Sequence, residues 1–236
     1  MAPSGVNRIR VAAGPYAGVM GLLAALGRFN AAHPWSHNDA YAGFVLRHAR
    51  AVRRGGGDTA VDVGCGTGNM VERLARVFPR VIGIEPDAPT AAIAARRFRG
   101  SPVVEIEHRA FGAEPRRGCD FIVFVASLHH MPLEPSLIAA RDALRPGGRI
   151  VIVGVARESR GDTVRSLVSL ALNPLVGLVR HPARVEHPPP HMLAPAVDAV
   201  ESFEEIRAVA ERVLPGIRMP RRLFWRYTAS WVAPAR

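Results

Sequence analysis

The chain has 236 residues, 48% of them hydrophobic, which fits a globular protein with one substantial core and gives a single domain over 1–236 as the default. The formal net charge is +11, but all 31 basic residues are arginines and none of them form a run of five or six. That spacing favours a solvated basic surface and argues against nucleic acid as a partner. Cys65 and Cys119 are too few for a disulfide framework, so we expect free thiols in a reducing compartment, the cytoplasm.

The first segment, 1–54, is expected to form a helical cap. Residues 11–27 carry no charge and resemble the apolar part of a signal peptide, but they contain four glycines and a proline and lack a convincing cleavage site. We therefore expect a buried helix there and no membrane span. A second helix is predicted over 38–53, with Ser36 or Asn38 as its cap.

From residue 55 to 156 the chain alternates short apolar runs with amphipathic stretches. Strict alternation of strand and helix predicts a Rossmann-like, doubly wound α/β fold, with a mostly parallel sheet covered on both faces. The predicted strands are 59–63, 80–85, 102–107, 119–127 and 148–156, and the predicted helices are 69–78, 88–98 and 133–144.

The alternation of strands and helices stops after the fifth strand. Residues 157–200 predict an insertion that lies across the open edge of the sheet, with an apolar helix interrupted at Asn173 and Pro174 and then a proline-rich loop. The apolar stretch 167–178 would suit either a lid or the face of a homodimer.

The last part of the chain, 201–236, is expected to hold a helix and then one or two strands. A capping box of Ser202 and Glu205 opens the helix predicted over 202–216. In the tail, Leu223, Trp225 and Tyr227 alternate on one face, as in a strand.

The stretch "VDVGCGTGN" predicts a ligand site after the first strand, because ligands of open parallel sheets bind beyond the carboxyl ends of the strands. Gly64, Gly66 and Gly68 leave room for backbone to approach a ligand or to adopt positive φ. Glu85 ends the second strand, where a carboxylate can accept hydrogen bonds from both hydroxyls of a ribose. Asn69 stands where a dinucleotide fingerprint has its third glycine, which disfavours NAD and FAD.

Four motifs, "VDVGCGTGN", "GIEPD", "CDFIVFVASLHHM" and "LRPGGRIVIV", together resemble the class I S-adenosylmethionine-dependent methyltransferases, in particular the ubiquinone/menaquinone-type group of small-molecule enzymes. The resemblance covers 59–155. It implies a seven-stranded sheet with an antiparallel last strand, S-adenosylmethionine (SAM) as cofactor and S-adenosylhomocysteine (SAH) as product. The cofactor-binding residues expected from the motifs and their positions are Asp62, Gly64, Cys65, Gly66, Gly68, Glu85, Pro86, Ala110, Phe111, Val125 and Ala126.

The chain departs from the family after the third strand. Members usually have a Gly-Asp pair there whose acid contacts the adenine amino group, but this chain has Arg109 and Ala110. Adenine recognition would then rest on backbone groups and the apolar wall of Phe111, or on Glu114.

Three histidines are candidate catalytic residues. His129 and His130 follow the fourth strand, where an imidazole could deprotonate an acceptor hydroxyl; alternatively they pack and cap the helix that begins near Pro132. His37 precedes a helix that in this family lies over the cofactor, and with Trp35, His33 and Tyr41 it would either line the acceptor site or simply pack.

No metal is expected, because methyl transfer from a sulfonium needs mainly alignment and exclusion of water. The histidines of the proline-rich insertion, His181, His187 and His191, are interpreted as solvated loop residues.

The working hypothesis is methyl transfer to a small, largely apolar or aromatic metabolite bound between the N-terminal helices and the insertion. One alternative is a nucleic-acid methyltransferase, but strand four ends in "ASLHHM" and lacks the Asn/Asp-Pro-Pro-aromatic tetrad of enzymes that methylate amino groups of nucleic acids. The other alternative is a SAM-binding protein with non-methylating chemistry.

Overall fold

The computed structural model describes residues 26–27, 29–30, 32–33, 35–180, 182–183 and 198–235. Most of the apolar segment 11–27 and the whole proline-rich stretch around His187 and His191 lie outside the described residues, as does His181. The predictions made for these segments concern parts of the chain that the structure does not describe.

The described residues form one sheet of six strands in the order β3-β2-β1-β4-β5-β6. All neighbouring strands are parallel except β6, which runs antiparallel to β5. The strands are β1 (Thr59–Val63), β2 (Arg80–Glu85), β3 (Val104–His108), β4 (Cys119–Val125), β5 (Leu144–Gly154) and β6 (Tyr227–Val232). Strand order reverses between β1 and β4, so a crevice for a ligand is expected beyond the carboxyl ends of these strands.

The central strands are apolar on both faces because helices cover both sides of the sheet. On one face Val61 and Ile122 belong to a cluster with Leu137 and Ile206, and on the other face Ala60 and Phe121 pack with Val45 and Leu74. Such two-sided burial explains why the strands read as continuous apolar runs.

Within 35–180 and 198–235, six α-helices pack around the sheet. They are α1 (Ala42–Arg54), α2 (Asn69–Ala75), α3 (Ala88–Arg97), α4 (Leu133–Ala143), α5 (Thr163–Arg180) and α6 (Phe203–Val213). A 3-10 helical turn, His37–Tyr41, precedes α1, and the capping box of Ser202 and Glu205 opens α6 as predicted.

The predicted break at Asn173 and Pro174 is wrong, because α5 is continuous through Pro174. Tertiary contacts at Asn173 explain the difference. Its carbonyl accepts a hydrogen bond from the Trp35 indole at 3.2 Å, and its side chain bonds the His37 ring at 2.9 Å. These contacts hold the helix against the segment before α1, although proline removes one helical hydrogen bond.

Helix α5 also exposes apolar side chains on its other side, among them Val164, Leu167 and Val179. The homodimer suggested for this helix stays a prediction. No helix within the described part of the chain combines the length and the apolar character that crossing a bilayer requires.

The described residues supply six strands to the sheet, so the seventh strand expected from the resemblance is not confirmed. Residues 218–222 pair with β6 only through two isolated antiparallel bridges, Arg218 with Ser230 and Arg221 with Tyr227. Pro220 has no N–H to give to a ladder, which is one reason that this segment forms no regular strand.

The predicted alternation of Leu223, Trp225 and Tyr227 on one strand face is also wrong. Phe224 and Trp225 have φ of +56° and +55° and form a tight turn, so only Tyr227 lies in β6. Two consecutive positive φ values are typical of a type I′ hairpin turn, which usually has Asn and Gly at these positions. Because this chain has two aromatic residues there, the sequence carries no signal for the turn.

Candidate active site

The bend after β1 is fastened to the end of β2. The backbone N–H groups of Gly64 and Cys65 both donate to the carbonyl of Ile84, at 2.8 and 3.0 Å. Gly64, Gly66 and Gly68 have φ of +68°, +56° and +90°, a region that favours glycine. The backbone conformation is therefore by itself a sufficient reason for glycine at these three positions.

The three glycines differ in what their missing side chains leave room for. A Cβ on Gly64 would lie 2.4 Å from Cβ of Ser127, and one on Gly68 would lie 2.4 Å from the Phe98 ring. A Cβ on Gly66 would meet no heavy atom within 4 Å. Gly64 and Gly68 thus make room for the protein's own side chains, and only Gly66 faces open space in which a ligand could lie.

Glu85 ends β2 with its carboxylate directed at this bend. Its Oε2 accepts a hydrogen bond from the N–H of Gly66 at 2.8 Å, and its Oε1 accepts one from the N–H of Asp87 at 3.0 Å. The residue is 8% exposed. An ionised carboxylate has about four acceptor positions, so positions remain for hydroxyl donors of a ligand.

Asp62 lies behind the bend and is buried, with 1% exposure. Its Oδ2 has no hydrogen-bond partner among the described residues. Burial, with a smaller contribution from the charge of Glu85, raises the pKa of Asp62 to about 7. A buried carboxyl oxygen without a partner is expensive, so this oxygen is a candidate to bind a donor or a cation supplied by a ligand.

Cys65 is buried beside the missing side chain of Gly83, where a Cβ would lie 2.9 Å from its Sγ. Burial raises the pKa of this thiol, and the charges of Asp62 and Glu85 act in the same direction. The thiol is therefore a packing group. Both cysteines are free in the structure.

The end of β4 closes the other side of the crevice. Ala126 has φ of +52° and donates its N–H to Val153, while the Ser127 hydroxyl donates to the Val63 carbonyl at the end of β1. Val125 and Ala126 are partly exposed at this edge. The bond of Ala126 connects the end of β4 to β5, and the bond of Ser127 connects it to β1, the strand that carries the bend.

His129 and His130 follow in a short 3-10 turn, with ring centroids 4.0 Å apart. His130 is exposed and His129 is partly buried. The N-cap residue of α4, Pro132, makes no side-chain cap hydrogen bond, and both roles suggested for these histidines stay predictions. The structure puts both rings at the same edge of the sheet as the glycine bend.

The side expected to receive adenine is built from the ends of β2 and β3. Phe111 is partly buried, with its ring edge-on to Phe124 at 5.7 Å, and Ala110 and Pro86 are exposed. Arg109, which replaces the expected acid, donates to Glu107 at 2.7 Å. Glu114, the suggested substitute, is exposed.

His37 lies in an aromatic cluster, away from the bend in the sequence. Its ring is edge-on to Trp35 at 4.9 Å, stacked on Phe224 at 5.8 Å and tilted to Trp225 at 5.4 Å. Burial lowers the pKa of His37 below 6.5, with the hydrogen bond to Asn173 opposing and the charge of Arg226 assisting. The ring is therefore neutral at pH 7.

Near this cluster, at the carboxyl end of β5, lies a cavity of about 410 Å³ that includes space open to solvent. Sequence reasoning missed its arginines, because they come from segments that meet only in the fold. Its walls are formed by Ala156, Arg157, Glu158, Asp162, Arg165, Ser166, Ser169, Phe203, Arg221, Arg222, Trp225, Arg226 and Tyr227.

Within the described stretches, no three His, Cys, Asp or Glu side chains are grouped so that they could hold a metal ion.

Comparison with known proteins identifies the family of the chain. Residues 35–205 match the methyltransferase domain family. An uncharacterised methyltransferase of Mycobacterium tuberculosis is 30% identical over 207 residues, covering 85% of this chain and 98% of that protein. A ubiquinone biosynthesis O-methyltransferase of Rhodopseudomonas palustris is 27% identical over 141 residues, which is 58% of this chain and 55% of that protein.

Among solved structures, the DhpI–SAH complex superposes with a TM-score of 0.57 at 20% identity, over 92% of this chain and 95% of that one. This likeness confirms the α/β fold and its sheet. The family match covers the glycine bend, Glu85, the end of β4 and the whole of α5. The chain therefore belongs to the methyltransferase domain family.

Proposed function

We propose that this methyltransferase transfers the methyl group of SAM to a small, largely apolar or aromatic metabolite in the cytoplasm. The observation that carries the proposal is the hydrogen bond from Gly66 N–H to Glu85 Oε2. It brings a carboxylate and a side-chain-free backbone bend to one point, which is the arrangement that a nucleoside cofactor needs.

The residues at the crevice fit SAM. Glu85 has acceptor positions left for ribose hydroxyls, and Gly66 faces open space where the amino acid portion would lie against the bend. Asp62 offers a buried carboxyl oxygen with no described partner on the same side. The remaining contacts proposed for the cofactor come from Gly64, Cys65, Gly68, Pro86, Ala110, Phe111, Val125 and Ala126.

When bound, SAM supplies a methyl group on a positively charged sulfur that leaves as a neutral thioether. The chain has two tasks: to hold the acceptor atom in line with the methyl group and to keep water out. His129 and His130, at the end of β4, are the groups proposed to accept a proton when the acceptor is a hydroxyl. Because His37 is neutral at pH 7, it also has a free acceptor nitrogen when its other nitrogen donates to Asn173.

The acceptor pocket is proposed to lie where the segment before α1, helix α5 and the turn before β6 meet. Trp35 and His37 contact Asn173 of α5, and His37 contacts Trp225 of the turn. Tyr41 ties the same segment to the turn, since its hydroxyl donates to the Leu223 carbonyl at 2.7 Å. Aromatic walls of this kind suit an apolar or aromatic acceptor.

The test is transfer of a radiolabelled methyl group from SAM, with extracted metabolites and total RNA offered as separate acceptors. The proposal expects label in a small organic molecule whose mass rises by one methylene unit. Label in RNA would support the nucleic-acid alternative. Consumption of an acceptor without methylation would support non-methylating chemistry.

A further inference from the structure

The cavity at the end of β5 is strongly basic. Its walls hold five arginines and two acidic residues, Glu158 and Asp162, so the formal charge of the lining is 5 − 2 = +3. The five arginines are Arg157, Arg165, Arg221, Arg222 and Arg226. Which of these cations are already neutralised decides whether the charge is available to a ligand.

Three of the arginines have acidic partners. Arg221 pairs with Asp162 and Glu204, and Asp162 also lies 3.4 Å from Arg165. Arg157 lies 3.6 Å from the exposed Glu205. These ion pairs are structural links between the start of α5, the start of α6 and the segment before β6.

Arg222 and Arg226 have no ion pair with any described carboxylate. The Nε of Arg222 donates to the Thr228 hydroxyl at 3.0 Å, and the Nε of Arg226 donates to the Asn38 side-chain oxygen at 2.9 Å. Both acceptors are neutral, so they orient the guanidinium groups without compensating the charges, and no carboxylate in the described part of the chain does so either. Burial lowers the pKa of Arg226 to about 10, because desolvation disfavours the charged form of the guanidinium.

A backbone hydrogen bond links the two arginines across a turn. The N–H of Arg222 donates to the carbonyl of Arg226 at 2.8 Å, across the turn in which Phe224 and Trp225 have positive φ. Bulky residues avoid that conformation, and such strain tends to be kept where it serves function. Ser169 of α5 stabilises the turn by accepting a hydrogen bond from Phe224 N–H at 2.8 Å.

The position of the cavity suits an acceptor. Tyr227, in its wall, pairs with Gly154 at the carboxyl end of β5, and β5 lies next to β4. With neighbouring strands about 4.8 Å apart, the end of β5 is roughly 10 Å from the end of β1, where the glycine bend lies. Trp225 also contacts His37, a residue proposed to face the acceptor.

We propose that the acceptor carries an oxyanion group, a carboxylate or a phosphate ester, and that Arg222 and Arg226 bind this group while the apolar part of the molecule extends toward the end of β4. The planar guanidinium fork matches the geometry of either group. The inference rests on the proposed function, because it identifies the substrate class of the same site.

The test compares three small aromatic probes on SAH-loaded protein: benzoate, its neutral isostere benzamide, and phenyl phosphate. Affinities are measured by saturation-transfer NMR for the wild type and for Arg222→Gln, Arg226→Gln and Arg218→Gln. Arg218 is the matched control, because it is exposed and lies outside the cavity but loses the same charge.

The expected result is that benzoate or phenyl phosphate binds about tenfold more tightly than benzamide, as charge-assisted hydrogen bonds imply. The better of the two anions distinguishes a carboxylic acid from a phosphate ester. Arg222→Gln and Arg226→Gln should abolish the advantage, and Arg218→Gln should keep it. If Arg226→Gln does not fold, the exposed Arg222 decides the question.

The proposal is overturned if benzamide binds as tightly as the anions, if none of the three probes binds, or if Arg218→Gln weakens them as much as the cavity variants do. Calorimetry with SAH separates this failure from a failure of the proposed function. The two cavity variants should bind SAH as the wild type does, because they leave the glycine bend intact. A wild type that fails to bind SAH contradicts the methyltransferase site itself.

Discussion

Glu85 and Gly66 are joined by a hydrogen bond of 2.8 Å between the carboxylate at the end of β2 and the backbone N–H of the bend after β1. The bond uses one acceptor position of the carboxylate, and Asp87 N–H uses another. It prepares the carboxylate for a ligand before the ligand arrives, because the side chain loses little freedom on binding.

Gly66→Ala should abolish cofactor binding while costing little stability. The new methyl group meets no protein atom within 4 Å but enters the open space beside the bend, at φ of +56°. We expect a loss of about 1 kcal/mol in the free energy of unfolding from the left-handed backbone alone. Urea denaturation gives the stability, and calorimetry with SAH gives the binding.

Gly100→Ala is the matched control for that variant. Gly100 also has positive φ, +78°, and also has no atom within 4 Å of its missing Cβ, but it lies in an exposed turn after α3. It should show the same loss of stability and bind SAH normally. Equal loss of SAH binding in the two variants would mean that strain, and not the space beside Gly66, explains the effect.

Gly64→Ala should be far more harmful, and Ser127→Gly should partly rescue it. The new Cβ would lie 2.4 Å from Cβ of Ser127, so overpacking adds to the backbone strain, for a total of about 3 kcal/mol. Removing the Ser127 side chain relieves the overpacking but not the strain. A double-mutant cycle on the free energy of unfolding should therefore show a favourable coupling of about 1 kcal/mol. Additive effects would contradict the close contact.

Strands β1 and β2 could be predicted to the residue, because each is a short, mostly apolar run. Strand β4 ends at Val125, two residues before the predicted end, where Ala126 adopts φ of +52°. β5 begins at Leu144, four residues before the predicted Gly148, since Leu144 already pairs with Cys119 across a register shift. Apolar character could not show this extra pairing, because the residues that extend the strand are largely exposed.

The glycine bend and Glu85 could be predicted, because each lies in a short sequence motif at the end of a predicted strand. The arginine pair of the cavity could not. It depends on contacts such as that of Tyr41 with Leu223, which are 182 residues apart in sequence, and on a turn whose aromatic residues give no turn signal. The role expected of Gly64 and Gly68 also changed, since their neighbours Ser127 and Phe98 come from distant segments.

The ligand-free protein should lose stability as pH rises toward 7 on account of Asp62. Its pKa is raised from 3.8 in the unfolded chain to about 7 in the fold, so the protonated form is the one that folding favours. This contribution is present in full below pH 3.8 and is lost as pH rises through about 7.

Asp62→Asn should remove that pH dependence and be more stable than the wild type at about pH 8. Thermal melts across this range test the difference, with the exposed Asp142→Asn as the control for net charge. A wild type and an Asp62→Asn variant with parallel pH profiles would show that Asp62 is ionised throughout.

Calorimetric titration of SAH into the wild type, Glu85→Ala and Glu105→Ala tests the central claim most directly. Glu105 lies on the neighbouring strand β3, exposed and paired with Arg80, and controls for the loss of a carboxylate. We predict binding by the wild type and by Glu105→Ala, and at least a tenfold loss of affinity in Glu85→Ala, from one or two lost charge-assisted hydrogen bonds. Equal affinity in all three proteins, or no binding by the wild type, would contradict the assignment of this crevice to the cofactor.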